Sequence, residues 1–327
     1  MTIAARLRRR TFASLPPADA RYFDTEPGTR VLAHCNWQPD RLRQPLLVAL
    51  HGLEGSSESS YVRGLAEKAY LAGFNVVRLN HRNCGGTETL TPSLYHSGLT
   101  IDARAVVEEL VDRDGFRQVG LAGYSLGGNV ALKLAGEYGD RAPAALRFAA
   151  AVSPPIDLTA ATILLERPRN RIYQWYFLAS LKRRIVRKAQ MFPGRYSTDG
   201  LGRIRTIRAF DDRYTAPDAG YGNAEDYYDR ASCIHAIPRI AVPTLIISAS
   251  DDPFIPTGPF GDPRVGGNPN VEVVITSHGG HCGFIGQRCT EHDGYWAEWA
   301  VVRWAGAVLQ NSEFRIRNSE GGCGFAE

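Results

Sequence analysis

The sequence predicts an α/β fold, built on a doubly wound, mostly parallel sheet with a helical insertion. Three observations carry this prediction: short apolar runs recur along the chain, helical patterns separate them, and the alternation breaks once, between residues 156 and 238. Strands that helices cover on both faces are apolar throughout, as these runs are. Strands that alternate with helices in this way are typical of a parallel sheet flanked by helices.

Six apolar runs are the candidate strands of this sheet. They occupy residues 45–52, 74–82, 118–125, 148–155, 244–253 and 271–281. Helical patterns cover residues 61–71, 100–112, 126–138 and 295–309. Upstream, the segment RYFDTEPGTRVLAHCNW has a Pro-Gly turn between two extended runs, which predicts an antiparallel hairpin at one edge of the sheet.

The length of 327 residues favours one large domain that carries an insertion. We expect residues 1–155 and 239–327 to form the core of the fold. Residues 156–238 contain aromatic, basic and Pro/Gly-punctuated segments without a strand rhythm. We expect this segment to form a mostly helical cap over the carboxyl ends of the strands.

The lack of a predicted secretory signal or transmembrane run, together with the spacing of the cysteines, favours a cytoplasmic protein. The N-terminal segment MTIAARLRRRTFASLPP is basic but lacks the apolar centre of a secretory signal, so we expect a solvated basic tail. The chain has no run of about 18 apolar residues that would predict a transmembrane helix. Its six cysteines form no C-x-x-C pair, which argues against a zinc ribbon or a redox motif and favours reduced thiols.

The segment GLAGYSLGGNVALKLAG places a serine between an apolar strand and an amphipathic helix. Gly123 and Gly127 flank Ser125 at a distance of two residues on each side. A phosphate-binding loop is excluded, because Asn129 and Val130 occupy the positions of its lysine and hydroxyl residue. No G-x-G-x-x-G fingerprint of a dinucleotide site occurs either. The strand-turn-helix context favours a nucleophile elbow, in which the serine occupies a strained turn and the glycines leave room for the backbone.

A serine hydroxyl becomes a good nucleophile only when a base accepts its proton and a carboxylate orients that base. In this kind of fold the partners follow in the order serine, acid, histidine. The loop ASDDPFIP supplies the acid, and we favour Asp252 over Asp251. The loop GGHCGF supplies the base, and we favour His281 over His278, which lies nearer the strand. Both loops follow strands whose carboxyl ends share the sheet edge of Ser125, where ligands bind in open α/β sheets.

The loop LHGLEGSS is the candidate for the remaining part of such a site, an oxyanion hole. In this fold the backbone N–H groups come from that loop and from the residue after the serine, here Leu53 and Leu126. For His96 a role in a turn or a helix cap competes with a place in the pocket. The residues that we expect to line the pocket are His51, Gly52, Tyr124 and His96.

The motifs HGLEGSS, HRNCGG, LYHSG, GYSLGGN, ASDDPF and GGHCGFIG together resemble the YheT-like branch of the α/β-hydrolases, over residues 46–309. The resemblance implies an α/β-hydrolase fold and a serine hydrolase that acts on carboxylic esters, with Ser125, Asp252 and His281 as a triad. One departure is Asn83 in HRNCGG, where the family pattern would have glycine. This departure concerns the conformation of that loop and not the triad.

We therefore expect a carboxylic ester hydrolase that takes an acyl or lipid-like ester and forms an acyl-enzyme. No cofactor, metal or nucleic-acid partner is expected. An acyltransferase that passes the same acyl group to an alcohol is the alternative, although no histidine begins an H-x-x-x-x-D signature. A non-catalytic binding protein on the same fold is a further alternative. A haloalkane dehalogenase is excluded, because it would need an aspartate at the position of Ser125.

The cap segment is strongly basic. Residues 166–210 contain twelve basic and two acidic side chains, although the formal net charge of the chain is only +4. Within it, a predicted helix has an apolar stripe formed by Ile172, Trp175, Ala179, Leu181 and Ile185. Basic residues lie largely off this stripe, namely Lys182, Arg183, Arg187 and Lys188. We favour a stripe that packs on the core while its charges are solvated. The alternative hypothesis is a peripheral contact of the cap with an anionic membrane surface.

Overall fold

The computed structural model of the chain describes residues 10–311. Its strands are β1 Asp19–Glu26, β2 Thr29–Asn36, β3 Leu46–Leu50, β4 Asn75–Leu79, β5 Val119–Tyr124, β6 Leu146–Val152, β7 Thr244–Ala249 and β8 Val271–Thr276. They form one eight-stranded sheet in the order β1-β2-β4-β3-β5-β6-β7-β8. The strands β3 to β8 are parallel to one another, whereas β2 is antiparallel to both β1 and β4. The predicted N-terminal hairpin is therefore present at the β1 edge.

Ten α-helices accompany the sheet within residues 10–311. They are α1 Ser60–Leu71, α2 Ile101–Glu108, α3 Leu126–Tyr138, α4 Leu158–Leu165, α5 Arg171–Met191, α6 Ile207–Phe210, α7 Ala216–Asp218, α8 Ala224–Ala231, α9 Pro263–Gly266 and α10 Trp296–Leu309. A π-helical turn, Glu109–Arg113, continues α2, which accounts for the longer helix that the sequence predicts there. The other three predicted helices match α1, α3 and α10 to within one residue at each end.

The sheet is buried on both faces. Along β3 the side chains of Leu46, Val48 and Leu50 belong to one hydrophobic cluster, and those of Leu47 and Ala49 belong to another. Successive strand residues point to opposite faces, so an uninterrupted apolar run supplies both clusters. Helices α2 and α3 complete the first cluster, and α1 and α10 complete the second. This three-layer arrangement is the doubly wound α/β fold that the sequence predicts.

The segment between β6 and β7 contains helices and 3₁₀ turns but no strand among the residues that the structure describes. Its last part packs with the core. Cys233, Ile234 and Ile237 share the hydrophobic cluster of β3 and β5, and a Cβ on Gly136 of α3 would lie 2.2 Å from the carbonyl oxygen of Ala236. Helix α5, in contrast, lies in the middle of the segment and leaves much of its surface exposed. The division at residues 156–238 stays a prediction.

The apolar stripe predicted for α5 does not face in one direction. Leu181 and Ile185 are buried, but Ile172 and Trp175 are 67% and 71% exposed. Lys188, which the sequence places among the solvated charges, is fully buried. Its ammonium group donates hydrogen bonds to the carbonyl oxygens of Glu88, at 3.0 Å, and of Thr91. The prediction of a uniform stripe is wrong because, in the N-terminal half of the helix, Tyr173 and Phe177 rather than Ile172 and Trp175 pack on the core, at Phe254.

Within residues 10–311, no helix has both the length and the apolar character that a membrane span would need. In the same residues five cysteines are free thiols, namely Cys35, Cys84, Cys233, Cys282 and Cys289. The first nine residues of the predicted basic tail, and the sixth cysteine, Cys323, lie outside the described residues.

Candidate active site

Ser125 occupies a sharp turn between β5 and α3. Its backbone angles are φ 51° and ψ −121°, which is a costly conformation for a residue with a side chain. A Cβ on Gly123 would lie 2.1 Å from the carbonyl oxygen of Gly127, and a Cβ on Gly127 would lie 2.5 Å from the carbonyl oxygen of His51. Both glycines are therefore required because backbone segments meet there without room for a side chain. The turn has the geometry of a nucleophile elbow.

The structure brings His281 and Asp252 to this serine. His281 Nε2 lies 2.9 Å from Ser125 Oγ, and His281 Nδ1 lies 2.9 Å from Asp252 Oδ2. Because a carboxylate only accepts, the Nδ1–H of His281 donates to Asp252, which leaves Nε2 free to accept from the serine hydroxyl. His281 and Asp252 are each only 5% exposed.

Burial and charge act in opposite directions on these two groups. Burial by itself raises the pKa of Asp252, but His281 and the backbone N–H groups of Phe254 and Ile255 outweigh it and lower that pKa. Burial by itself lowers the pKa of His281, but the charge of Asp252 and the hydrogen bond between them raise it above its ordinary value. Each partner therefore stabilises the charged form of the other.

The two rival residues lie elsewhere. Asp251 accepts a hydrogen bond from the backbone N–H of Gly280 at 2.7 Å, so it braces the histidine loop without contacting the ring. His278 is exposed and has its Nδ1 3.7 Å from Asp251. Positive φ angles at Gly280, Cys282 and Phe284 coil the loop so that His281 reaches Ser125.

The loop after β3 lies directly against the elbow. A Cβ on Gly52 would lie 3.1 Å from the Cβ of Ser125, so this glycine permits the close approach. Leu53 follows it, and both Leu53 and Leu126 line the same cavity as Ser125. Leu126 is the first residue of α3, and the first N–H groups of a helix have no acceptor within the helix.

Two cavities meet at Ser125, and we name each after one lining residue. The Leu158 cavity has a volume of about 130 Å³, and the Trp175 cavity has a volume of about 150 Å³. Both are bounded by Leu53, Ser125, Phe177 and His281. The walls of the Leu158 cavity are mainly apolar and include Leu126, Leu158, Ala161, Leu165, Leu181 and Ile207. Those of the Trp175 cavity include Gly52, Tyr61, Ile172, Tyr173, Trp175 and Tyr176.

The residues predicted to line the pocket divide into two groups. His96 lines the Leu158 cavity and also accepts a turn hydrogen bond from Gly98 N–H at 3.2 Å, and Gly52 lines the Trp175 cavity. For His51 and Tyr124 the prediction is wrong. Tyr124 precedes the serine on β5, so its side chain points away from the cavities and packs on Tyr61. The ring of His51 is fully buried beneath the loop.

Several side chains of the site were not singled out from the sequence. The ring of Phe254 packs at 4.8 Å on that of His281, and it follows Asp252 in the Asp-Pro-Phe sequence that could have indicated it. Phe177 of α5 lines both cavities, and no motif in the sequence indicates this. Asn83 stands where the family pattern would have glycine, and the structure shows how the loop accommodates it. Its φ is 63°, a left-handed conformation that asparagine tolerates better than most residues, so the loop can form without glycine.

The described residues contain no cluster of three or more histidine, cysteine, aspartate or glutamate side chains able to hold a metal ion.

A mostly parallel sheet whose central strand ends on a serine elbow, with an acid and a histidine on later strand-end loops, defines the class of the α/β-hydrolases. The chain belongs to this family, since the family model described as alpha/beta hydrolase fold matches residues 45–287. The predictions of an α/β-hydrolase fold and of an esterase- or lipase-like enzyme are thereby confirmed.

The chain is similar to several curated proteins. It is 39% identical over 269 residues to YheT of Escherichia coli, which covers 82% of this chain and 78% of that protein. It is 32% identical over 247 residues to phospholipase ABHD3 of mouse, which covers 75% and 60% of the two chains. It is 34% identical over 254 residues to the monoacylglycerol lipase of Saccharomyces cerevisiae, which covers 75% and 56%. The chain thus spans less than two thirds of the length of the last two relatives.

Among solved structures, the esterase Pf2001 of Pyrococcus furiosus superposes with a TM-score of 0.60 at 16% sequence identity, covering 93% of this chain and 96% of that one. This likeness concerns the fold alone.

Proposed function

We propose that this protein hydrolyses carboxylic esters through Ser125 as nucleophile, His281 as general base and Asp252 as the residue that orients the base. The observation that carries the proposal is the pair of 2.9 Å contacts that link the three side chains. In the first step Ser125 Oγ attacks the ester carbonyl carbon, and His281 Nε2 takes the hydroxyl proton. Asp252 holds the ring in the tautomer that accepts at Nε2 and stabilises the imidazolium that forms.

The backbone N–H groups of Leu53 and Leu126 hold the oxyanion of the tetrahedral intermediate in this proposal. Both residues border the space in front of Ser125. When the intermediate collapses, the bond to the alcohol oxygen breaks and His281 protonates the departing alcohol. A water molecule then attacks the acyl-enzyme, with His281 as base again, and the acid leaves as Ser125 regains its proton.

The two cavities at Ser125 provide separate places for the two parts of an ester. Because both are lined mainly by apolar side chains, they support an acyl or lipid-like substrate rather than a small polar one. The similarity to a phospholipase and a monoacylglycerol lipase agrees with this substrate class. In the same proposal residues 156–238 form the cap, because α5 lines both cavities and α4 lines the Leu158 cavity.

A fluorophosphonate probe and a series of nitrophenyl and glycerol esters of graded acyl length test this function. We expect the probe to label the wild type at Ser125. The Ser125→Ala variant should lose roughly 10³-fold or more in kcat with little change in melting temperature. Ser250→Ala, at an exposed position on the loop before the acid, is the matched control and should keep full activity.

Two results would contradict this mechanism. Labelling that persists in Ser125→Ala would place the nucleophile elsewhere, and a wild type that reacts with neither probe nor esters would favour a binding protein on the same fold. Added alcohols distinguish the acyltransferase alternative, because an acyltransferase would form new esters at the expense of hydrolysis.

The N-terminal end of α5 supports a second element of the proposal, contact with an anionic lipid surface. Ile172 and Trp175 are exposed at the border of the Trp175 cavity. Arg167, Arg169 and Arg171 are exposed beside them and form no ion pair within residues 10–311. Exposed apolar side chains next to unpaired arginines are typical of a helix that lies on an anionic bilayer. An ester could then pass from the lipid directly into the cavity of Ser125.

A further inference from the structure

The loop that carries Leu53 is a tight turn with an unusual residue in it. The carbonyl oxygen of Gly52 accepts a hydrogen bond from Gly55 N–H at 3.0 Å, so Leu53 and Glu54 are the two central residues of the turn. Glu54 has a φ of 56°. A positive φ at this position of a turn normally selects glycine or asparagine, because other side chains are strained there. Something outside the turn must therefore hold Glu54 in place.

The side chain of Tyr95 supplies one part of that hold. Its hydroxyl oxygen accepts a hydrogen bond from the backbone N–H of Glu54 at 2.8 Å. The same hydroxyl donates to Glu54 Oε1 at 3.0 Å. One phenol therefore fixes both the backbone and the carboxylate of this residue.

The cap helix α5 supplies the other part. Arg184 donates from Nε to Glu54 Oε1 at 3.0 Å, and its Nη2 lies 2.8 Å from the same oxygen. Ser180, one turn earlier on α5, donates to Glu54 Oε2. The side chains of Arg184 and Glu54 are only 6% and 4% exposed, so the ion pair is shielded from solvent. A shielded pair of this kind is more sensitive to loss of one partner than an exposed pair.

Arg184 also joins neighbouring core loops to the same point. It donates to the carbonyl oxygen of Asn83, and its guanidinium carbon lies 4.9 Å from the centre of the Tyr95 ring. Its Nη2 lies 3.5 Å from Cys84 Sγ. The guanidinium group of Arg184 thus contacts three parts of the core: the turn that carries Leu53, the Tyr95 side chain that holds this turn, and the loop after β4.

We propose that Arg184 is a positioning residue which, through Glu54, holds the turn that presents the Leu53 N–H to the reacting carbonyl. This inference rests on the function proposed above. Docking of α5 on the core and formation of the oxyanion hole are then one event. An oxyanion hole stabilises charge only when its donors are fixed in advance, so a turn that relaxes lowers kcat rather than substrate binding.

Hydrolysis of a small soluble ester by purified variants tests the proposal. Arg184→Met should lower kcat by roughly 10- to 100-fold, since a misplacement of about 1 Å costs on the order of 10²-fold, and it should change KM little. Arg184→Lys should recover part of kcat, because it restores a cation without the planar fork. Arg187→Met is the matched control: Arg187 lies one turn further along α5 and pairs with Glu88 at 3.0 Å, away from the turn. It should leave kcat unchanged.

A second variant separates positioning from general loss of structure. Glycine adopts a positive φ without strain, so Glu54→Gly keeps the turn available without any side chain to hold it. The double variant Glu54→Gly/Arg184→Met should therefore have a higher kcat than Arg184→Met alone. With kcat taken per active site titrated by the fluorophosphonate, a purely structural role of the ion pair would leave Arg184→Met no loss for the double variant to recover, and that result would overturn the proposal.

Two further results discriminate between the inference and the function on which it rests. If Arg184→Met is folded by circular dichroism and keeps the kcat of the wild type, the positioning role is wrong while ester hydrolysis by Ser125 stands. If the wild type itself neither hydrolyses esters nor reacts with a fluorophosphonate, the proposed function fails first.

Discussion

The two sides of the Ser125 cavities are built in different ways. On the core side the geometry depends on backbone segments that touch: a Cβ on Gly123 would lie 2.1 Å, and a Cβ on Gly127 2.5 Å, from a carbonyl oxygen. On the side of the proposed cap, α5 is held by side chains that reach across to the core. Arg184 contacts Glu54, Lys188 contacts the carbonyl oxygens of Glu88 and Thr91, and Tyr173 and Phe177 pack on Phe254. At the N-terminal end of α5, Ile172 and Trp175 remain exposed.

The two sides therefore suit different roles in the enzyme. Backbone contacts without side-chain space leave the elbow a single conformation, which suits a nucleophile that must be placed accurately. A helix that contacts the core through side chains can shift at lower cost than two backbone segments in direct contact, which suits a wall that must admit a large apolar ester. Variants on the two sides should therefore fail in different ways.

The largest expected effect lies on the core side, at the acid. Asp252→Asn should lower kcat by roughly 10⁴-fold, the cost seen when a triad aspartate is neutralised and the histidine takes the wrong tautomer. Asp251→Asn, one residue away, should lose far less activity, because Asp251 contacts the backbone of Gly280 and not the imidazole. Steady-state kinetics on the pair measures the difference. The reverse ranking would show that the acid is misassigned.

The next effect compares a core glycine with a cap glycine. Gly123→Ala should lower the melting temperature by roughly 5 °C or more, because overpacking where backbone atoms meet costs several kcal/mol. It should also remove activity in the folded fraction. Gly202→Ala, in a 3₁₀ turn of the cap where a Cβ would meet nothing within 4 Å, should leave the melting temperature within a degree or two. Equal losses in thermal denaturation would contradict the contrast between the two sides.

A third test concerns pH and the core side alone. The pKa of His281 is raised by Asp252, and the base must be neutral to accept the serine proton. The rate constant kcat/KM should therefore increase with pH through an apparent pKa above the ordinary value of about 6.5 for histidine. In Asp252→Asn the residual activity should rise at a lower pH, since the negative charge that favours imidazolium is gone. A profile that does not move in this variant would mean that another group controls the rate.

The smallest effect lies on the exposed end of the cap. Wild-type protein should bind anionic phospholipid vesicles at low salt and release them at high salt, because surface charges are screened within about 10 Å at 0.1 M salt. Arg167→Glu, Arg169→Glu and Arg171→Glu should each weaken binding roughly fivefold or more, from about 1 kcal/mol per basic residue at the surface.

Trp175→Ala should weaken vesicle binding through loss of apolar burial. Val186→Ala, at the far end of the exposed face of α5, is its matched control. Co-sedimentation measures all of these variants. A wild type that does not bind anionic vesicles at low salt would show that the basic cap has another role.

Much of the core side could be predicted from the sequence because the information there is local. Continuous apolar runs between helical patterns indicate buried parallel strands, and the bounds of α3 follow from the residues next to the elbow. The Gly-x-Ser-x-Gly spacing identifies the turn because only glycine fits where backbone atoms meet. The strand-end loops place Ser125, an acid and His281 at one sheet edge, since carboxyl ends of parallel strands share an edge.

What the tertiary structure alone decided depends on residues far apart in the chain. Glu54 and Arg184 are separated by 130 positions, and no spacing in the sequence connects them. The sequence favours Asp252 as the partner of His281, but only the structure shows the two backbone N–H groups that hold its carboxylate. Likewise, a helical period shows that α5 has faces but not which segments cover them. That Lys188 is buried and Trp175 is exposed follows from the neighbours of α5, which the helix acquires only when the whole chain folds.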